Sequence, residues 1–174
     1  MKKFLFLTLL GFIAFSLNAQ HVFNNNDKMF NAGIGLLSSD GPIPSINGSF
    51  EIGAIPTGDA GLISFGGITA FQLGSYYLTG YTDTYFVFHV GPRATWHLHV
   101  FESDKWDAYA GIGFGLRFRS GYDDYWGYHY DGYVGGYGEG FVGGRMMLKE
   151  NFGLFAEMGY GTLSAFKFGI TMGL

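Results

Sequence analysis

Cysteine is absent from the 174-residue chain. That excludes disulfide scaffolds, thiolate metal sites and cysteine nucleophiles, and with them a lipid anchor on an N-terminal cysteine. Charge is scarce. Lys and Arg number 10, Asp and Glu 14, together 14 % of the residues against roughly 25 % in an ordinary soluble domain. No basic tract of the kind that draws nucleic acid is present. Proline occurs only 4 times. No apolar run reaches the ~18–20 residues that a membrane-crossing helix needs. Glycine, by contrast, is abundant at 30 residues, yet it follows no three-residue repeat, which rules out a collagen-like chain. With 19 Phe, 12 Tyr and 3 Trp, the composition is far too aromatic for a disordered chain.

The N-terminal residues read as an address. Lys2 and Lys3 precede an apolar stretch from Phe4 to Leu17, and Leu17-Asn18-Ala19 follows as a cleavage site. A basic start, a short apolar core and a small final residue define a secretory signal peptide. Residues 1–19 are therefore expected to be removed, leaving Gln20 first, a short periplasmic segment over 20–27 and a barrel over 28–174. Loss of Lys2 and Lys3 leaves 8 basic and 14 acidic side chains.

Beyond residue 27 the dominant period is two, the signature of strands with unlike faces. Phe86, Phe88, Val90, Pro92, Ala94, Trp96, Leu98 and Val100 share one parity, and His89, Gly91, Arg93, Thr95, His97 and His99 the other. The same alternation runs through Ala108–Arg119, Val134–Leu148, Phe152–Tyr160 and Phe166–Leu174. Eight strands are expected, over 28–36, 46–55, 61–73, 84–100, 106–119, 133–148, 152–160 and 165–174. Bulges are expected at Gly66-Gly67, and a bulge or an open ladder at Pro92, which has no N–H to donate. Short polar connections at 55–60, 102–105 and 149–151 alternate with longer ones at 37–45, 74–83 and 120–132, although 161–164 is short. That alternation, with an even strand number, is expected of an outer-membrane barrel.

The fold class read from this pattern is all-β, an eight-stranded antiparallel up-and-down transmembrane β-barrel. Its apolar parity faces lipid, with Tyr85, Trp106, Phe118, Phe152 and Tyr160 as interfacial aromatics. The other parity is mostly glycine with isolated charges, which suits the crowded interior of an eight-stranded barrel. Glu51, Glu139 and Glu157 are assigned to the lumen against Arg93, Arg117, Arg119, Arg145 and Lys167, because enclosed charges must be paired. A secreted lipocalin-like barrel would place the apolar face inside instead.

The segments Trp106–Gly115 and Phe152–Gly161 and the last strand resemble the small OmpA/OmpX-type outer-membrane β-barrel family, over about residues 28–174. The resemblance implies insertion by the barrel-assembly machinery, with Lys167, Gly169, Met172 and Leu174 as the terminal assembly signal. Members usually end in an aromatic residue, where this chain has Leu174. No chemistry follows from the fold itself.

Candidate chemistry is sparse. His97 and His99 have a spacing that can place two imidazoles on one metal, but no third ligand is indicated, so His89, His97 and His99 are expected to hydrogen-bond lumen carboxylates or to line the periplasmic mouth. Ser38, Ser39, Ser64, Ser75, Ser120 and Ser164 are available to a lipid-modifying Ser–His enzyme, yet none sits in a nucleophile elbow. No enzyme, metal or cofactor is expected. The segment 120–132 carries Tyr122, Asp123, Asp124, Tyr125, Trp126, Tyr128, Tyr130 and Asp131, read as an extracellular interaction loop. The alternative is a Tyr-rich hairpin whose rings pack on one another. The expected partners are outer-membrane lipid, lipopolysaccharide, the assembly machinery and an extracellular ligand or protein; a monomer is expected. The role read from the whole is structural or interactive, with a small-solute channel as the alternative.

Overall fold

The computed structural model describes residues 21–38, 43–78, 81–99, 103–123, 126–161 and 164–174. The signal peptide expected over 1–19, Ser39, Val100, Asp124 and Tyr125 lie outside the described residues, as do the side chains of Tyr122 and Asp123. The strands are β1 (Lys28–Leu36), β2 (Ser45–Pro56), β3 (Gly61–Leu78), β4 (Tyr81–Leu98), β5 (Trp106–Arg119), β6 (Tyr122–Asp123), β7 (His129–Tyr130), β8 (Tyr133–Lys149), β9 (Phe152–Gly161) and β10 (Phe166–Gly173). Eight of them close into a barrel in the order β1-β2-β3-β4-β5-β8-β9-β10, with β10 returning to β1 and every neighbouring pair antiparallel. β6 and β7 form a separate two-stranded ribbon. The all-β, eight-stranded antiparallel barrel is the architecture that the alternation implied.

Both ends of the barrel chain lie at one mouth, where the Leu174 N–H donates to the Lys28 carbonyl at 3.0 Å. We call this the terminal end and the opposite mouth the far end. The strands are not of equal height. β2 follows β3 only as far as Ile46↔Phe71, whereas the β3–β4 ladder continues to Leu78↔Tyr81. Most of the expected 74–83 loop is therefore strand. Gly74 permits this, because a Cβ there would strike the Tyr85 ring. β9 likewise follows β8 only to Gly161↔Glu139, whereas β8 stays on β5 to Tyr133↔Arg119. Strands β3, β4, β5 and β8 thus form a taller wall at the far end.

Register departs from expectation in one place. Gly66 and Gly67 pair without interruption with Glu51 and Phe50, and the shift falls between Gly53 and Ile55 instead. The extra residue, Ala54, turns Ile55 to the outer face opposite Ile63, where an unbroken alternation would have pointed it inward. Gly66 stays in register because its bare backbone lies against the Phe50 carbonyl. A second shift, between Met147 and Lys149, was not foreseen. At Pro92 the β4–β5 pairing lapses after Val90↔Leu116 and resumes in the same register at Arg93↔Gly113. The ladder opens there and does not bulge.

The two faces differ in chemistry. Ile46, Phe65, Phe71, Phe86, Trp96, Trp106, Ile112, Phe114, Met158 and Phe168 point outward and are exposed. Glu51, Arg93, His97, Asp107, Glu139, Arg145, Glu157 and Lys167 are buried inside. Tyr85 corrects the expected aromatic ring: it has inward parity, and the Arg119 guanidinium lies 4.5 Å from its ring centre. Ile68, Ala70 and Tyr137 form a small apolar layer toward the far end.

Residues 21–27 cap the terminal mouth. The β1–β2 ladder continues past Lys28, with Gly53 donating to the Asp27 carbonyl and Asn26 donating to the Gly53 carbonyl, each at 2.9 Å. Asn26, at φ 68°, turns the chain back, and the Asn24 N–H is held by Asp27 Oδ2 at 2.8 Å. Phe23 is thereby driven into the mouth, where it is 1 % exposed and packs on Met29 and Leu62. Phe23→Ala is expected to loosen this cap by about 1.5–3 kcal/mol, the worth of burying such a side chain. Hydrogen exchange would show faster exchange at Asn26 and Gly53 and unchanged exchange at β5.

Candidate functional site

The period of two sets each charged residue on the inward parity, and the tilt of neighbouring strands brings them to successive heights. Asp107 from β5 meets Arg145 from β8 (Nη1–Oδ2 3.1 Å), and Arg145 meets Glu51 from β2 (Nη2–Oε2 3.0 Å). Glu51 meets Arg93 from β4 at 3.2 Å, and Arg93 meets Glu157 from β9 at 2.8 Å. Lys167 from β10 then joins Glu157 at 3.2 Å and Glu139 at 2.9 Å. The result is one unbroken chain of alternating charge through the lumen. Rings cover its cations: Phe141 lies 4.0 Å from Arg93 and Tyr109 4.6 Å from Arg145. Tyr109 also donates to Glu157 at 3.1 Å. In a medium of low dielectric these pairs hold only because each charge has a partner.

Six of the eight residues assigned to the lumen network meet in this chain. Arg117 and Arg119 do not; they lie toward the far end, Arg117 over Tyr133 at 5.2 Å and Arg119 over Tyr85. Asp107 was missed as a network residue, whereas His97, expected to bond to lumen carboxylates, joins the chain through Asp107 and Glu51. Asp107 follows Trp106 at the start of its strand, so little alternation precedes it. Only its parity with Tyr109 marks it as inward.

His97 has carboxylate oxygens at both ring nitrogens, Asp107 Oδ2 at 2.9 Å from Nδ1 and Glu51 Oε2 at 3.3 Å from Nε2. Ser64 Oγ stands 3.0 Å from Nε2, so Ser64, His97 and Asp107 have the spacing of a nucleophile, base and orienting acid. The surroundings oppose that chemistry. An imidazole facing two carboxylates is placed to donate from both nitrogens, and a donor at Nε2 cannot accept a serine proton. Ser64 Oγ donates to the Thr95 carbonyl at 3.3 Å, and Phe23 covers the His97 ring at 4.3 Å. The constellation ties β2, β3, β4 and β5 together beneath the cap.

The other histidines are apart. His89 stacks on Tyr137 at 5.1 Å, and His99 stacks on His21 at 3.5 Å and 7°. Burial holds the His99 pKa below the ordinary imidazole range, with His21 adding to the effect. Among the described residues no cluster of three His, Asp or Glu is arranged for a metal. In the expected assembly signal, Lys167 points into the network, Gly169 pairs with Gly33, Met172 pairs with Phe30, and Leu174 closes onto Lys28.

At the far end the β6–β7 ribbon pairs Tyr122 with Tyr130 and Asp123 with His129. Trp126, Tyr128, Tyr130 and Tyr133 are exposed there.

No family model matches the chain, and no curated protein matches it. Among solved structures, it is similar to two of Ail, the attachment invasion locus protein of Yersinia pestis. One holds the heparin analogue sucrose octasulfate (TM-score 0.47) and the other is Ail alone (TM-score 0.45). Each is 13 % identical and covers 84 % of this chain and 93 % of that chain.

Proposed function

We propose that the chain is a bacterial outer-membrane barrel with a structural and surface-interaction role. Its terminal end faces the periplasm and its tall far end faces outward. One observation carries this reading: the apolar side chains are on the outside and the charges are sealed within. A soluble barrel buries its apolar face, and each large side chain left in water forgoes about 1.5–3 kcal/mol. In a bilayer the same outward face is solvated by hydrocarbon. Short connections at the terminal end and taller strands at the far end fit the usual orientation. Lipid, lipopolysaccharide and the assembly machinery are the partners this reading entails, and the barrel acts as a monomer.

The sealed lumen favours this role over a solute channel. Phe23, the ionic chain and the Tyr137 layer close it at three heights. Cell fractionation tests the reading: recovery in the outer membrane with heat-dependent gel mobility is expected, and recovery in the soluble periplasm would overturn it. Planar bilayers test the plug. Refolded protein is expected to stay silent, and steady large conductance would restore the channel.

A further inference from the structure

We propose that the outer face near the terminal end holds a zwitterionic phospholipid, one with a phosphodiester and a primary ammonium in its head. This rests on the reading that the barrel is inserted in a bilayer with its terminal end at one membrane surface. The first observation is a groove among the outward side chains. Ladder pairing sets Ala108, Gly144 and Ala156 side by side across β5, β8 and β9. The neighbouring row toward the terminal end is Trp106, Met146, Leu154 and Ile170, and the row on the other side is Ala110, Val142, Met158 and Phe166. A row of small residues thus lies between two rows of mostly large ones, and Phe168 closes it at β10. The groove measures about 530 Å³, with Gly144 and Ala156 set among Trp106, Met146, Leu154, Phe168 and Ile170. An acyl chain seated there meets atoms on its floor and on both walls, whereas a flush face would offer one side only. Small residues let it approach the backbone closely, as they do at helix contacts within membranes.

The second observation is a polar basin that continues the groove. Asp104, Lys105, Lys149 and Glu150 line a cavity of about 480 Å³ at the terminal mouth. All four are exposed, and among the described residues no ion pair engages any of them. Basin and groove are successive rungs of one ladder. The Met147 N–H donates to the Lys105 carbonyl at 2.8 Å, and Trp106 pairs with Met146 on the next rung. An amphiphile with its head in the basin therefore has its chain directed into the groove.

The third observation is the charge of the basin, two cations and two anions. A phosphodiester accepts from Lys105 and Lys149, and a primary ammonium donates to Asp104 and Glu150. A choline head carries no N–H for the carboxylates. A glycerol head leaves them facing its phosphate with no cation between. The ethanolamine head answers both signs.

The test uses the full mature chain refolded into choline-lipid vesicles. Trp96→Phe and Trp126→Phe leave Trp106 as the one reporter of the 3 tryptophans. Lipids brominated at one acyl position, with ethanolamine, glycerol or choline heads, are compared as quenchers at equal mole fraction. The ethanolamine lipid is expected to compete for Trp106 about fivefold better than the choline lipid, the yield of a few solvent-exposed charge contacts, and better than the glycerol lipid. Gly144→Leu fills the groove. A Cβ there meets only the Asp107 carbonyl, at 3.5 Å, so the barrel accommodates the change. Gly144→Leu, and Lys105→Gln with Lys149→Gln, are each expected to bring the ethanolamine lipid down to the level of the choline lipid. Asp104→Asn with Glu150→Gln is expected to abolish its preference over the glycerol lipid. The proposal is overturned if the lipids quench alike in the parent, if the glycerol lipid is preferred, or if these variants keep the parent's order. Trp106 shielded from every lipid, with two copies cross-linked across β8, would assign the groove to self-association and overturn it as well. Heat-dependent gel mobility reads insertion separately. An inserted barrel with uniform quenching sinks the proposal alone, and a chain that never inserts sinks the membrane reading along with it.

Discussion

Ile112→Arg is expected to destabilise the inserted barrel by ~2–4 kcal/mol, the cost of a cation on the lipid face near the bilayer midplane. Ile112 is central in β5, points outward and is 64 % exposed. Its neighbours across the ladders are Ala94 and Gly140, so no adjacent side chain offers the guanidinium a hydrogen bond. Thr84→Arg supplies the comparison. Thr84 lies in the part of β4 that rises above β2, where the same change is expected to cost at most about 1 kcal/mol. Urea titration of folding into lipid vesicles measures both. Equal, small effects would mean that the outer face meets water. An arginine at the inward Thr95 is no benign control. Thr95 is 1 % exposed beside the Ser64–His97–Glu51 cluster, so a longer cationic side chain there meets a filled lumen.

The extent to which this structure is legible in the chain follows from the range of the signals. Alternation is local, so β5, β9 and β10 are read from Trp106–Arg119, Phe152–Tyr160 and Phe166–Gly173 to within a residue or two. Register is not local. Ala54 is an extra residue only because Ile55 must meet Ile63 across a ladder, and nothing in Gly53-Ala54-Ile55 announces it. Gly66-Gly67 misleads for the same reason: a glycine pair signals a bulge when read alone, but it also fits a close approach of neighbouring backbone. Glycine is ambiguous on β8 as well. Gly136, Gly138, Gly140 and Gly144 share the outward parity of Val134 and Val142, so glycine does not mark the lumen there. Phe23 lies in a segment with no period at all, and its place in the mouth depends on contacts with Met29, Leu62 and His97. The inward charges are assigned by parity, but which carboxylate meets which cation depends on strand tilt. Asp107 and His97 enter the network through that geometry.

The same network yields the largest effect expected of a lumen substitution. Arg145→Met is expected to cost about 3–5 kcal/mol, because removal of one partner strands buried charge. The Arg145 side chain is fully enclosed and holds Glu51 at 3.0 Å and Asp107 at 3.1 Å. Four carboxylates, Glu51, Asp107, Glu139 and Glu157, face Arg93, Arg145, Lys167 and His97. Without Arg145 the set has one cation too few, and Asp107 keeps His97 alone. Methionine fills much of the arginine stem, so lost packing is a minor part of the change and unpaired charge the major part. Adding Asp107→Asn to Arg145→Met removes the uncompensated charge and is expected to recover part of the loss. The exposed His129–Asp131 pair makes the contrast, since solvent screens it and Asp131→Asn is expected to leave stability unchanged. Unfolding midpoints in vesicles would order the four proteins: parent and Asp131→Asn together, the double variant below them, and Arg145→Met lowest. A double variant no better than Arg145→Met would show that the arginine stabilises by packing, and that the alternating chain of charge is incidental to stability.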